Sequence, residues 1–164
     1  MMLLLLALLA GAPTREFHDI PYGPDARQRF DVYAPANAHD APVIMMVHGG
    51  GWRIGDKSMR RMVRNKVDYW VPRGYVFISI NYRMLPDADP LQQARDVARA
   101  IATAEEKAAS WGGDRTKFVL MGHSAGAHLI ALVTTSRELA PELRGATWRG
   151  AVLLDSAALD VVAR

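Results

Sequence analysis

The chain has 164 residues, of which half are hydrophobic and none is cysteine, and its formal net charge is +3. This length and apolar content predict one globular domain with a single core and exclude a mainly disordered chain. The lack of cysteine excludes disulfides, a cysteine nucleophile and cysteine-based metal centres.

The first segment, residues 1–12, is almost purely apolar and ends in Ala10-Gly11-Ala12, a small-residue sequence typical of a signal-peptide cleavage site. We therefore expect export, to a secreted or periplasmic location. A misassigned start codon in a cytoplasmic protein, or an N-terminal anchor, is the alternative. The run is short for a bilayer span, so we expect no membrane span in the mature chain.

Three strands are predicted before residue 48. Residues 15–20 and 27–33 alternate polar and apolar side chains around the turn sequence Pro21–Pro24, which indicates a β-hairpin at the antiparallel edge of a sheet. The continuous apolar run Val43–Val47 is typical of a strand covered on both faces. It leads directly into the glycine loop, His48-Gly49-Gly50-Gly51-Trp52.

A helix follows from about Ser58 to Val71, and it should end before Pro72. Its predicted apolar face consists of Met59, Met62, Val63, Val67 and Trp70. Basic residues are densest here, and their spacing places four of them on one helix face: Lys57, Arg60, Arg61 and Arg64. No nucleic-acid motif accompanies them, so we interpret this face as solvated and expect no nucleic-acid partner.

The next elements are a buried strand, Tyr75–Ile80, and a helix that begins at Pro90 with Asp89 as its cap. That helix should run to Trp111 and end at Gly112-Gly113.

A third strand–helix pair follows. The short apolar run Phe118–Met121 enters Gly122-His123-Ser124-Ala125-Gly126, a G-x-S-x-G sequence, and a helix is expected from Ala127 to Ser136. The last strand, Ala151–Leu154, leads into Asp155. Strands that alternate with helices predict an α/β fold with a doubly wound, mostly parallel sheet flanked by helices.

Two motifs in this order favour acyl-transfer chemistry. A strand-to-helix corner exposes the Ser124 hydroxyl and places main-chain N–H groups at a positive helix end. The glycine loop allows other N–H groups to turn towards a developing oxyanion. Either motif alone also fits a plain turn or an anion-binding loop, but both follow strands whose carboxyl ends meet at one sheet edge.

With these residues the chain resembles the α/β-hydrolase fold, specifically the carboxylesterase and lipase-like branch with an H-G-G-G oxyanion motif. The glycine loop also fits the H-G-G-x-W pattern of kynurenine-formamidase-like members. The resemblance covers about Arg27–Asp160 and includes the loops Asn81-Tyr82-Arg83 and Gly112-Gly113-Asp114.

The resemblance implies Ser124 as the nucleophile and the N–H groups of Ala125, Gly50 and Gly51 as the oxyanion hole. It also implies that His48 braces the glycine loop. Trp52 either lines the acyl pocket or simply packs in the core.

The chain departs from this family in one respect. The family order is Ser, then Asp or Glu, then His, but no histidine follows His128. We therefore expect residues 13–164 to be the N-terminal part of a single domain that usually reaches roughly 250 residues, incomplete after about the sixth strand. The histidine and acid of the triad would then lie beyond residue 164.

Histidines and acids inside the chain are weaker candidates for these roles. Structural hydrogen bonding is the favoured role of His48, His123 and His128. Asp155 and Asp160 follow the last strand, where either could be the acid, although a turn or helix-cap role is the more common one.

The resulting expectation is a serine hydrolase of small carboxylic esters that forms an acyl-enzyme, with weak or absent turnover by this chain alone. An amide substrate such as an N-formyl aryl amide is the runner-up. A non-catalytic α/β-hydrolase-like binding protein or an inactive fragment is the competing class. We expect no cofactor and no metal, because the sequence lacks H-E-x-x-H and phosphate-loop motifs. The sequence leaves the oligomeric state open.

Overall fold

A computed structural model describes residues 13–136, 138, 141–143, 145–146 and 148–156 of the chain. The predicted signal segment 1–12 and the candidate acid Asp160 lie outside the described residues.

The described strands form one six-stranded sheet. They are β1 (Thr14–Pro21), β2 (Arg29–Pro35), β3 (Ala41–Val47), β4 (Val76–Ile80), β5 (Gly113–His123) and β6 (Trp148–Leu154). Their order across the sheet is β1-β2-β4-β3-β5-β6. The hairpin strands β1 and β2 are antiparallel to their neighbours, whereas β4, β3, β5 and β6 are mutually parallel. The prediction of a mostly parallel sheet with an antiparallel edge hairpin is confirmed.

Three helices connect the parallel strands: α1 (Arg60–Trp70), α2 (Pro90–Lys107) and α3 (Ala125–Thr135). The cap of α2 agrees with the prediction, because the Asp89 carboxylate accepts from Gln92 N–H at 2.8 Å and the Gln92 side chain accepts from Asp89 N–H at 2.9 Å. Helix α1 ends at Trp70, before Pro72 as predicted, and a 3₁₀ turn, Val71–Arg73, follows it. Within the described part of the chain, no helix is both long and apolar enough to cross a bilayer.

Strand β3 is buried on both faces, as its apolar run predicts. Val43, Met45 and Val47 belong to the larger core on the side of α2 and α3. Ile44 and Met46 point the other way, into a smaller core that includes Val63 and Val67 of α1. The side-chain period of two in a strand therefore places helices on both sides of the sheet.

One part of the basic-face prediction is wrong. Lys57 precedes α1 and is only 7% exposed. Its ammonium lies 2.7 Å from Asp31 and 2.9 Å from Asp19, two carboxylates of the β1–β2 hairpin. Helical spacing could not reveal these partners because they are distant in sequence. The arginines assigned to this face are on α1 and exposed, but Met59, expected on its apolar face, is 44% exposed.

Candidate active site

The serine corner lies between β5 and α3. Ser124 has φ 51° and ψ −118°, a conformation that is uncommon for any residue but glycine. Its main-chain N–H donates to the carbonyl of Leu154 at 2.8 Å, which ties the corner to the end of β6. The side chain is half-buried at the carboxyl edge of the sheet.

The two motif glycines are required by close backbone approaches, as expected. A Cβ on Gly122 would collide with the carbonyl of Gly126 and lie 2.6 Å from Ala127 N. A Cβ on Gly126 would collide with the carbonyl of Val47 and lie 2.6 Å from that of His48. The start of α3 therefore rests directly on the end of β3, and this contact sets the position of the serine.

The glycine loop and the serine corner lie together because β3 and β5 are neighbours in the sheet. A Cβ on Gly49 would lie 3.0 Å from the Cβ of Ser124, so the two motifs touch through Gly49. The Gly50 carbonyl accepts from the N–H groups of Arg53 and Ile54 at 3.2 and 3.1 Å, which closes a tight turn. Gly51 is exposed and has φ 58°.

His48 is 2% exposed and holds the start of this loop. Its Nδ1 lies 2.8 Å from the carbonyl oxygen of Gly49, and its ring stacks on Tyr82 with 4.6 Å between centroids. The Tyr82 hydroxyl donates to the His48 carbonyl at 3.0 Å. Burial lowers the pKa of His48, which favours the neutral ring. Tyr82 entered the sequence predictions only as part of a loop.

The far end of the loop is also anchored. The carbonyl of Trp52 accepts from Leu85 N–H at 2.8 Å and from the Gln93 side chain at 3.1 Å. The Trp52 ring is half-buried and packs edge-on against His128, with 5.5 Å between centroids. No sequence motif identified Leu85 or Gln93, because both act through single contacts with the main chain of another element.

A buried carboxylate on α2 supports the segment that carries Tyr82. Asp96 is almost fully buried and accepts from Arg83 Nε and Nη2 at 2.8 and 2.7 Å. It also accepts from the Gln28 side chain at 2.8 Å. The hydrogen bonds to Asp96 raise the pKa of Arg83 and keep it charged. Paired contacts of this kind hold a loop in one geometry.

No histidine side chain forms a hydrogen bond with the Ser124 hydroxyl among the described residues. Nε2 of His48 and both ring nitrogens of His128 have no hydrogen-bond partner among the described residues. His18 and His39 are exposed, beside Glu16 and Asp40 respectively. Asp155 follows β6 with φ 53° and is exposed at the same sheet edge as Ser124. Across the described ranges, no group of three or more His, Asp or Glu is placed to bind a metal ion.

Comparison with known proteins gives consistent matches. A protein-family model described as BD-FAE matches residues 30–149. Esterase LipQ of Mycobacterium tuberculosis is 38% identical over 122 residues, which cover 72% of this chain and 28% of LipQ. Kynurenine formamidase of Danio rerio is 29% identical over 142 residues, which cover 84% of this chain and 46% of that protein.

A solved structure of esterase B from Lactobacillus rhamnosis superposes with a TM-score of 0.67 at 31% identity. The superposition covers 87% of this chain and 45% of esterase B. The chain therefore spans between about a quarter and a half of the length of these three proteins.

Proposed function

This chain belongs to the BD-FAE family, and from that premise we propose that it is part of a serine hydrolase that cleaves carboxylic esters through an acyl-enzyme. The observation that carries the proposal is the contact between the two motifs: the glycine loop passes Ser124 so closely that a Cβ on Gly49 would lie 3.0 Å from the serine Cβ. The identities to proteins named as esterases support the same reaction.

In the proposed reaction, the Ser124 hydroxyl attacks the ester carbonyl carbon, and a general base takes its proton. Ala125 is the first residue of α3, so its N–H has no acceptor within the helix and is available to the oxyanion. The N–H groups of Gly50 and Gly51 are the second part of the oxyanion hole. The tetrahedral intermediate expels the alcohol, and water then hydrolyses the acyl-serine.

We assign the general base and its carboxylate partner to residues outside this chain. His48 is buried, its Nδ1 is bonded to the Gly49 carbonyl, and its ring is stacked on Tyr82, all of which support a bracing role. His128 lies one turn into α3, where its main-chain N–H donates to the Ser124 carbonyl at 3.1 Å. Asp155 and Asp160 are retained as secondary candidates for the acid.

A second candidate substrate is an amide, such as an N-formyl aryl amide. The identity to kynurenine formamidase and the H-G-G-x-W form of the loop favour it. The same nucleophile and oxyanion hole would serve, so a comparison of aryl ester and N-formyl aryl amide hydrolysis distinguishes the two. A non-catalytic binding protein would hydrolyse neither.

The direct test is labelling of the whole protein with a fluorophosphonate probe. We expect labelling of the wild type and of Ser110→Ala, a matched control at an exposed serine, and none of Ser124→Ala. Labelling that persists in Ser124→Ala would refute the assignment of the nucleophile. Labelling without hydrolysis of either substrate class would refute the ester-hydrolase proposal.

A further inference from the structure

Asn81 is a buried asparagine that holds residues 54–57, the return segment by which the chain leaves the glycine loop. It follows β4 directly and is 6% exposed. Its Oδ1 accepts from the main-chain N–H of Lys57 at 2.6 Å, and its Nδ2 donates to the Asp56 carboxylate at 2.8 Å. One side chain therefore fixes two consecutive residues of the return segment.

Asn81 is itself held on both sides of its main chain. Its N–H donates to the carbonyl of Arg29 at 2.9 Å, and its carbonyl accepts from the Tyr22 hydroxyl at 2.6 Å. The next residue is Tyr82, which stacks on His48. With every polar group of the residue bonded in this way, Asn81 is a fixed point between the sheet and the glycine loop.

The return segment packs directly on the glycines at the proposed oxyanion hole. A Cβ on Gly50 would collide with the carbonyl of Ile54. A Cβ on Gly55 would collide with the His48 imidazole and lie 2.7 Å from the carbonyl oxygen of Gly49. Because no space separates the two stretches of main chain, a displacement of the return segment would also displace the glycine loop.

We propose that Asn81 is a positioning residue of the hydrolase: its two side-chain contacts hold the return segment so that the N–H groups of Gly50 and Gly51 keep their place in the oxyanion hole. This inference rests on the proposed function of Ser124. Oxyanion-hole donors act on the charge that develops in the transition state, so loss of Asn81 should lower kcat and leave KM close to the wild-type value.

The first test is Asn81→Leu, which has the same branched shape and removes both contacts. In the whole protein we expect kcat for p-nitrophenyl acetate to fall about a hundredfold, with KM within about threefold of wild type. Val67→Ala, which opens a cavity in the smaller core, is the control for lost stability and should leave both constants near wild type. An unchanged kcat in Asn81→Leu, or a loss confined to KM, would overturn the inference.

The second test is Asn81→Asp, which keeps the acceptor for the Lys57 N–H. It also places a second carboxylate about 2.8 Å from that of Asp56. Two carboxylates this close raise the pKa of one of them, so they share a proton and a hydrogen bond at low pH and repel each other at high pH. The ratio of variant to wild-type kcat should therefore rise about tenfold from pH 8 to pH 5.5. A ratio that does not change with pH would count against the inference.

The charged groups around this pair do not produce the same pH dependence. Burial opposes the charge of Asp56, but hydrogen bonds from Ser58 and Asn81 outweigh it and lower its pKa to about 2. Burial lowers the pKa of His48, and its titration is common to both proteins and cancels in the ratio. Arg27, 3.6 Å from the Asp56 carboxylate, reduces the repulsion at every pH. The other titratable groups beside the pair are Asp19, Arg29, Lys57 and Tyr22.

Fluorophosphonate labelling separates failure of this inference from failure of the proposed function. The phosphonyl oxygen occupies the same oxyanion hole, so both Asn81 variants should label at Ser124 completely but more slowly than wild type. Labelling of Asn81→Leu at the wild-type rate would overturn this inference alone. Absence of labelling in the wild type would overturn the proposed function and this inference with it.

Discussion

Replacement of Lys57 by methionine should lower the free energy of unfolding by about 3 kcal/mol. Asp31 is 2% exposed, and its charge is balanced at 2.7 Å by Lys57, whose side chain is 9% exposed. Removal of one partner from a buried ion pair costs about 3–5 kcal/mol because the other charge stays buried. The lower end applies here, because Asp31 keeps a hydrogen bond from Asp19 N–H at 2.9 Å.

The second carboxylate contributes little to this figure. The side chain of Asp19 is 74% exposed, so solvent screens its attraction to Lys57. Urea unfolding followed by tryptophan fluorescence measures the effect, and with a slope of about 2 kcal/mol per molar the midpoint should fall by about 1.5 M.

Two further variants make the test specific. Lys66→Met is the matched control, because Lys66 is half-buried and its ammonium donates to the Met62 carbonyl at 2.9 Å. It should cost about 1 kcal/mol or less. The double variant Lys57→Met with Asp31→Asn removes both charges and should regain much of the loss. Equal effects of the two lysine changes, or no recovery in the double variant, would show that the ion pair is not the cause.

Two other predictions concern the α2 carboxylate Glu105 and the start of α3. Burial raises the pKa of Glu105 from 4.5 to about 7. Between these pH values the folded protein keeps a proton on Glu105 that the unfolded chain has lost, so the free energy of unfolding falls as the pH rises through this range. The free energy of unfolding of Glu105→Gln, relative to that of the wild type, should therefore be about 1 kcal/mol higher at pH 8 than at pH 4, a figure reduced to allow for solvent screening of the carboxylate. Urea midpoints that differ between variant and wild type by the same amount at both pH values would contradict this. Gly126→Ala should reduce kcat/KM about a hundredfold because its Cβ meets two rigid carbonyls. Gly150→Ala should leave kcat/KM unchanged, because a Cβ on Gly150 would meet open space. Equal kcat/KM values in the two variants would refute the packing argument.

The fold could be predicted from the sequence wherever one element carries its own signal. The alternating hairpin strands, the apolar run of β3 and the Asp89-Pro90 helix start depend on side-chain period and local capping, which are properties of neighbouring residues. The end of α1 before Pro72 was predicted in the same way, because proline disfavours the α-helical conformation in the residue that precedes it.

The candidate site was predictable only where a motif lies in one stretch of chain. Ser124 and the glycine loop are each continuous, and their position after two strands predicted a shared edge. The supports of that loop are not continuous. Tyr82 stacks on His48, and Gln93 binds the Trp52 carbonyl, across separations of 34 and 41 residues. Such contacts cannot be predicted from the spacing of residues in the sequence, because they join different elements of the fold.

The sequence by itself therefore determined the α/β class, the mostly parallel sheet and the two loops that carry the proposed chemistry, because period, glycine placement and turn composition act locally. Only the tertiary structure decided that Gly49 meets Ser124, that Lys57 is a buried partner of the hairpin, and that Asn81 holds the return segment of the glycine loop. These contacts depend on which strands are neighbours in the sheet, and the strand order is determined by the packing of the whole core.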